Sequence, residues 1–203
     1  MVSHADAKRI VDELGLTPAE SMVVRAVGWL ESGGAPGGGY GSGWSGACAG
    51  SRNWGAITAF NWDGPTCTTQ DSRYDEETGG VIKYTTQFRV YETDEQAAAD
   101  LARVVLKSNV RAAARRGDLH GVSRAMRDNA YYIGIEPYEQ AIDTHAKRMR
   151  QAVDSITTAT GEPDPFTGSI RSSSKRRKGG TGWVLLIAAL GGGLALSRRR
   201  RRG

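Results

Sequence analysis

The chain has 203 residues, with 27 Lys and Arg against 22 Asp and Glu for a formal net charge of +5, which is room for one domain with a real core plus appendages. Ten of the basic residues lie at or beyond Arg171, where no acidic residue occurs, so the first 170 residues carry net −5 and the remainder +10. The high isoelectric point therefore belongs to the tail, and no specific nucleic-acid partner is expected for the folded body.

The two cysteines, Cys48 and Cys67, flank one segment. A bridge between them would close a loop of modest length, add about 3 kcal/mol on the chain-entropy account and imply an oxidising compartment; a pair of free thiols is the alternative. His4, His120 and His145 stand apart from one another, so no metal site and no cofactor are expected. Residues 1–16 include Asp6, Lys8, Arg9, Asp12 and Glu13 without an apolar run, and are not read as a secretory signal.

Residues 5–16 are predicted as a short amphipathic helix with Ile10, Val11 and Leu14 inward, ended by Gly15. Thr17-Pro18-Ala19-Glu20 then starts a second helix: Thr17 caps it, Pro18 suits its first position, and Glu20 completes a capping box. That helix sets Met22, Val23, Ala26, Val27 and Leu30 at helical spacing and delivers Glu31 just before Gly33-Gly34. A carboxylate at the C-terminal end of a buried helix meets an unfavourable dipole and a low dielectric, and both raise its pKa. Residues 33–50 are too rich in glycine for regular structure. Thr66–Tyr74, a polar turn from Asp75 to Gly80, and Val81–Tyr91 are predicted as a β-hairpin, with Ile82, Tyr84, Thr86, Phe88 and Val90 sharing one face. Helix resumes at Thr93-x-x-Gln96 with Ala97, Leu101, Val104 and Val105 inward. A short helix around 123–129 and a long one from about Pro137 to Ile156, with Tyr138, Ala141, Ile142, His145, Met149, Ala152 and Ile156 as its stripe, complete a mainly α body with a small β lobe.

From 157 onward the composition turns to Thr, Pro, Gly, Ser and basic residues, a flexible linker over 158–181. Gly182–Leu196 is an apolar run of 15 residues. At ~1.5 Å per residue it reaches about 22 Å, short of the ~30 Å hydrocarbon core. Five arginines follow it. Membrane association through 182–203 is the leading expectation, ahead of a removable sorting signal or unspecific binding to anionic polymers.

Trp29-Leu30-Glu31-Ser32-Gly33, Asn53-Trp54-Gly55-Ala56-Ile57, Trp62-Asp63-Gly64-Pro65, Thr69-Gln70-Asp71 and Phe88-Arg89-Val90-Tyr91 occur in that order. So arranged they resemble the bacterial and phage N-acetylglucosaminidases of glycoside hydrolase family 73, over roughly residues 17–157. The resemblance implies an α+β, lysozyme-like fold, peptidoglycan glycan strands as partner, and cleavage of the β-1,4 bond between N-acetylglucosamine and N-acetylmuramic acid. It maps the catalytic acid to Glu31. The family's second carboxylate maps to Asp71, where Asp stands for the usual Glu, so Asp75, Glu76 and Glu77 are alternatives. The family's late tyrosine maps to Tyr131 or Tyr132, without the usual Tyr-x-Thr-Asp-Pro pattern around it.

Glycoside hydrolysis passes through an oxocarbenium-like state that needs one carboxylic acid on the leaving oxygen and another group at the anomeric carbon. Among aromatic candidates for sugar stacking, Trp54, Tyr131 and Tyr132 are expected in the cleft, and Phe60 in the core. Asn53 is a candidate partner for an N-acetyl group, with a turn role as its alternative. A lytic transglycosylase and a non-catalytic wall-binding or virion module are the competing functions. The expected location is the cell wall, tethered by the C-terminus or carried in a virion.

Overall fold

In the computed structural model, which describes residues 2–32 and 39–167, Ser3 caps helix α1 (His4–Asp12) through a capping box with Asp6. Gly15, at φ +66°, lets the chain turn into the next helix. Helix α2 (Pro18–Glu31) begins as predicted: Thr17 Oγ1 accepts from the Glu20 backbone N–H, and Glu20 Oε2 accepts from that of Thr17 at 3.1 Å. The sequence pattern foretells one apolar face, but every residue from Glu20 to Gly28 is buried. The cause is that α2 is the central helix, touched by α1, α3, α4 and α6. Its one buried acid, Glu20, is neutralised by Arg111 and Arg115 at 3.1 and 3.0 Å.

Helices α3 (Asp94–Val105), α4 (Ser108–Arg115), α5 (Leu119–Asp128) and α6 (Tyr138–Thr160) pack around it. Thr93 caps α3 by accepting from Gln96 N–H, though Gln96 reaches back to Glu92 rather than to Thr93, so the capping box is incomplete. The sequence reading passes over α4, whose apolar face is only Val110, Ala113 and Ala114 among arginines. Along α6 the stripe Ala141, Ile142, His145, Met149, Ala152 and Ile156 is buried as expected, whereas Tyr138 is partly exposed.

Strands β1 (Thr66–Asp75) and β2 (Gly80–Arg89) form the antiparallel hairpin, in a register that sets Asp71 opposite Tyr84 and Cys67 opposite Phe88. Burial alternates along β2 as predicted. The hairpin's base is fastened to the body by residues 57–59, which run beside β2: Arg89 N–H donates to Ile57 O at 3.0 Å and Ala59 N–H to Gln87 O at 2.8 Å. Cys48, in a short 3₁₀ turn (Gly46–Cys48), is disulfide-bonded to Cys67 with a Cα–Cα distance of 5.1 Å. The pair and Phe88 make a small apolar cluster under the hairpin.

The expected end of the body at 157 falls inside α6. The chain then folds back: Glu162 pairs bidentately with buried Arg25, Asp164 pairs with Arg150, and Phe166 is enclosed in the main core. No described helix is long and apolar enough to cross a membrane. The apolar segment 182–203 and the basic linker beyond 167 lie outside the described residues.

Candidate active site

The C-terminal end of α2, the hairpin, the segment after α5 and one face of α6 enclose a cleft of about 650 Å³. Glu31 stands on the last turn of α2, partly exposed at the cleft wall. The residue after it, Ser32, is buried and fixes this helix end, its Oγ donating to Trp54 O at 3.0 Å and accepting from Gly41 N–H at 2.8 Å. Burial pushes the Glu31 carboxyl above the ordinary carboxylate range; the positive charge of Arg148 opposes the rise, and the negative charge of Asp71 adds to it. A carboxyl held this way keeps its proton to higher pH, as a general acid requires.

Asp71 reaches the same cleft from β1. Its Oδ2 accepts from the Tyr84 hydroxyl at 2.9 Å, across the hairpin, and its Oδ1 from the Ser72 backbone N–H at 2.7 Å. Of the alternative carboxylates, Asp75 holds the hairpin turn by accepting from Glu77 N–H at 3.0 Å, and none of Asp75, Glu76 and Glu77 lines the cleft. Of the four hairpin carboxylates, Asp71 is the one that shares the cleft with Glu31.

Tyr131 and Tyr132 form the wall next to Glu31. Ala130 occupies the left-handed position that ends α5, at φ 55°, so that Tyr131 N–H closes back on Met126 O at 3.0 Å. Glycine is the usual residue there, and alanine costs about 1 kcal/mol. The turn aims the Tyr131 hydroxyl at Gly55 O, 2.6 Å away. Burial, and then the charge of Glu31, raise this phenol well above its ordinary pKa, so it stays a neutral donor. Tyr132 stacks on His145, with centroids 4.1 Å apart and planes 12° apart, and donates to Ser123 O. The hairpin meets this wall where Tyr74 N–H donates to Gly134 O at 2.8 Å.

Two expected cleft residues lie elsewhere. Asn53 is 0% exposed, its Nδ2 donating to Ile57 O and Arg89 O while Oδ1 accepts from Ile57 N–H, so its amide is wholly engaged in knotting the 53–57 loop to the hairpin base. Trp54 is also 0% exposed, packed on Tyr40 at 4.7 Å with its indole N–H on Asp94 at 2.9 Å. Phe60 reverses the other expectation and is 79% exposed, held to the body through its backbone carbonyl, which accepts from Arg89 at 3.1 Å. The Phe88–Tyr91 motif is likewise an anchor: Arg89 and Tyr91 both converge on Asp100, each at 2.7 Å.

The sequence reading missed Tyr84, Glu136, Thr144 and Arg148, all of which line the cleft. Hairpin register identifies Tyr84 once Asp71 is chosen. Arg148 was discoverable as the next turn after His145 on the same face of α6.

No family model matches the chain, and no curated protein matches it. Among solved structures, the fold is similar to that of a peptidoglycan hydrolase mutant from Sphingomonas sp. A1, with 23% identity over 76% of this chain and 96% of that one and a TM-score of 0.53. It is also similar to the catalytic domain of the autolysin Auto from Listeria monocytogenes, at 15% identity over 78% of this chain and 82% of that one, with a TM-score of 0.50. The likeness is one of fold: a helical body with a hairpin lobe, the lysozyme-like architecture expected from the sequence.

Proposed function

We propose that the chain is a glycoside hydrolase of peptidoglycan, cutting the β-1,4 bond between N-acetylglucosamine and N-acetylmuramic acid. The observation that carries the reading is the placement of a desolvated carboxyl, Glu31, in the same cleft as a second carboxylate, Asp71, on the opposing hairpin.

In this reading Glu31 hands its proton to the glycosidic oxygen as the bond to the anomeric carbon breaks. The negative charge left on it is favoured by the positive charge of Arg148. Asp71, steadied by Tyr84, serves the anomeric side. It does so by taking a proton from the attacking water, or by balancing the positive charge when the substrate's own N-acetyl oxygen attacks. Tyr131 and Tyr132 offer the surface against which a sugar ring packs. Fold likeness to peptidoglycan hydrolases supports the substrate class.

A lytic transglycosylase would need Glu31 alone, so Asp71 in the cleft favours the hydrolase. The disulfide supports work in an oxidising compartment, at the wall. A membrane tether at 182–203 would keep the enzyme near it. In a zymogram with peptidoglycan embedded in the gel, the wild-type chain clears a band and Glu31→Gln does not. If wild type clears no better than Glu31→Gln, the enzymatic reading fails and a wall-binding module takes its place.

A further inference from the structure

Helix α6 turns Ala141, Thr144, His145 and Arg148 to the cleft, spaced i, i+3, i+4 and i+7 along one face. The first three offer a methyl, a hydroxyl and a buried imidazole. Burial, and then Arg148, hold that imidazole at a pKa of about 4, so it is neutral near pH 7. Arg148 ends the row as the exposed, charged member.

Its surroundings set it apart. Three carboxylates, Glu31, Asp71 and Glu136, line the same cleft, yet Arg148 makes no ion pair or hydrogen bond among the described residues. Elsewhere in the body Arg25, Arg89, Arg111 and Arg150 are each fastened to a carboxylate. The cleft's other guanidinium, Arg73, lies over the Tyr84 ring at 5.7 Å. Arg73 likewise makes no ion pair or hydrogen bond among the described residues, but Arg148 is the cleft cation whose charge acts on the Glu31 carboxyl, and its planar fork of unengaged donors matches a carboxylate with two parallel hydrogen bonds. A glycan built only of N-acetylglucosamine has no anionic group to meet it. A strand containing an acidic sugar does.

We propose that Arg148 is a specificity residue that binds a carboxylate carried by the acidic sugar of the strand, and so favours acid-bearing glycans over neutral N-acetylglucosamine polymers. The inference rests on the glycosidase reading for its substrate, and deepens it by naming the group that is recognised. The carboxylate has two sources with the same chemistry: the lactyl group itself, which is free where the stem peptide has been removed, or the acidic groups of the stem peptide.

The test is a binding titration on the full chain carrying Glu31→Gln, which keeps turnover out of the readout. Three probes are compared: a peptide-free strand fragment, a peptide-bearing fragment of equal sugar length, and the neutral N-acetylglucosamine oligomer. At least one acid-bearing fragment binds about ten-fold tighter than the neutral oligomer, the scale of a charge-assisted pair in a partly screened site. Adding Arg148→Gln removes that advantage and leaves the neutral oligomer's affinity unchanged, while Arg148→Lys keeps part of it. An advantage shown by the peptide-free fragment assigns the lactyl carboxylate; one confined to the peptide-bearing fragment assigns the stem peptide. Absence of any advantage, or an advantage that survives Arg148→Gln, overturns the proposal and leaves Arg148 an ordinary solvated cation. Failure of the glycosidase reading shows separately, as a wild-type chain that does not clear peptidoglycan.

Discussion

Replacing Gly55 by alanine tests the geometry that puts Tyr131 beside Glu31. A Cβ at this position would lie 2.2 Å from Leu101 Cδ1 and 2.8 Å from the Tyr131 hydroxyl oxygen, both far inside contact distance. Leu101 is completely buried on α3, so the methyl overpacks the core at a cost of about 2 kcal/mol. The hydroxyl also loses its 2.6 Å bond to Gly55 O, adding about 1 kcal/mol. The sum, about 3 kcal/mol, corresponds to a fall in Tm of roughly 6–12 °C for a domain of this size. Because the Tyr131 hydroxyl must leave its place in the cleft wall, wall-clearing activity falls about ten-fold or more even below the new Tm. Thermal denaturation followed by circular dichroism, and turbidity loss of a cell-wall suspension, read the two effects. Gly80→Ala is the control, since its backbone is not left-handed and the nearest atom to its added Cβ, Thr78 Oγ1, lies at an ordinary 3.7 Å. A Gly55→Ala protein with wild-type Tm and wild-type clearing would refute the placement of Tyr131 and, with it, the shape of the cleft wall.

Two predictions concern charge. Glu31 has its folded-state pKa raised by burial, so below the unfolded value its carboxyl costs nothing, and the penalty grows as pH rises through and beyond that value. Glu31→Gln therefore has a Tm at or above wild type, with a gap that widens toward neutral pH; a gap that closes as pH rises contradicts a desolvated acid. Since Arg148 holds the Glu31 pKa down, Arg148→Gln moves the alkaline limb of the pH–activity profile to higher pH, and an unmoved limb contradicts their proximity. A third prediction concerns the disulfide, which spans a sequence separation of 19. Its reduction removes about 3 kcal/mol and loosens the base of the strand that carries Asp71, lowering both Tm and activity. A Cys48→Ala/Cys67→Ala protein shows the same losses and no further response to a dithiol reductant.

Local rules carried much of the fold. The capping box at Thr17 and Glu20, the alternation along β2 and the stripe on α6 each depend on neighbours only a few residues away, and each, Tyr138 apart, is found where the pattern puts it. What escaped depends on distant partners. The burial of α2 on all sides follows from four helices packing around it, and nothing in its own periodicity reports them. The return of residues 161–167 depends on Arg25 and Arg150, which a composition reading cannot connect to Glu162 and Asp164. The site shows the same division. Glu31 was visible as a helix-terminal acid within an ordered set of motifs, and the cleft does contain Asp71, Tyr131 and Tyr132. Asn53 and Trp54 belong to the same motifs, but both hold the scaffold that presents Glu31. A motif marks residues that must stay together, and whether one touches the cleft or braces it is decided by the tertiary fold.

The most direct measurement is mass spectrometry of the fragments released from purified peptidoglycan. The account predicts that wild type releases fragments ending in a reducing N-acetylglucosamine, and that Glu31→Gln releases none. Fragments ending in 1,6-anhydro sugars, or equal release by the two proteins, would contradict it.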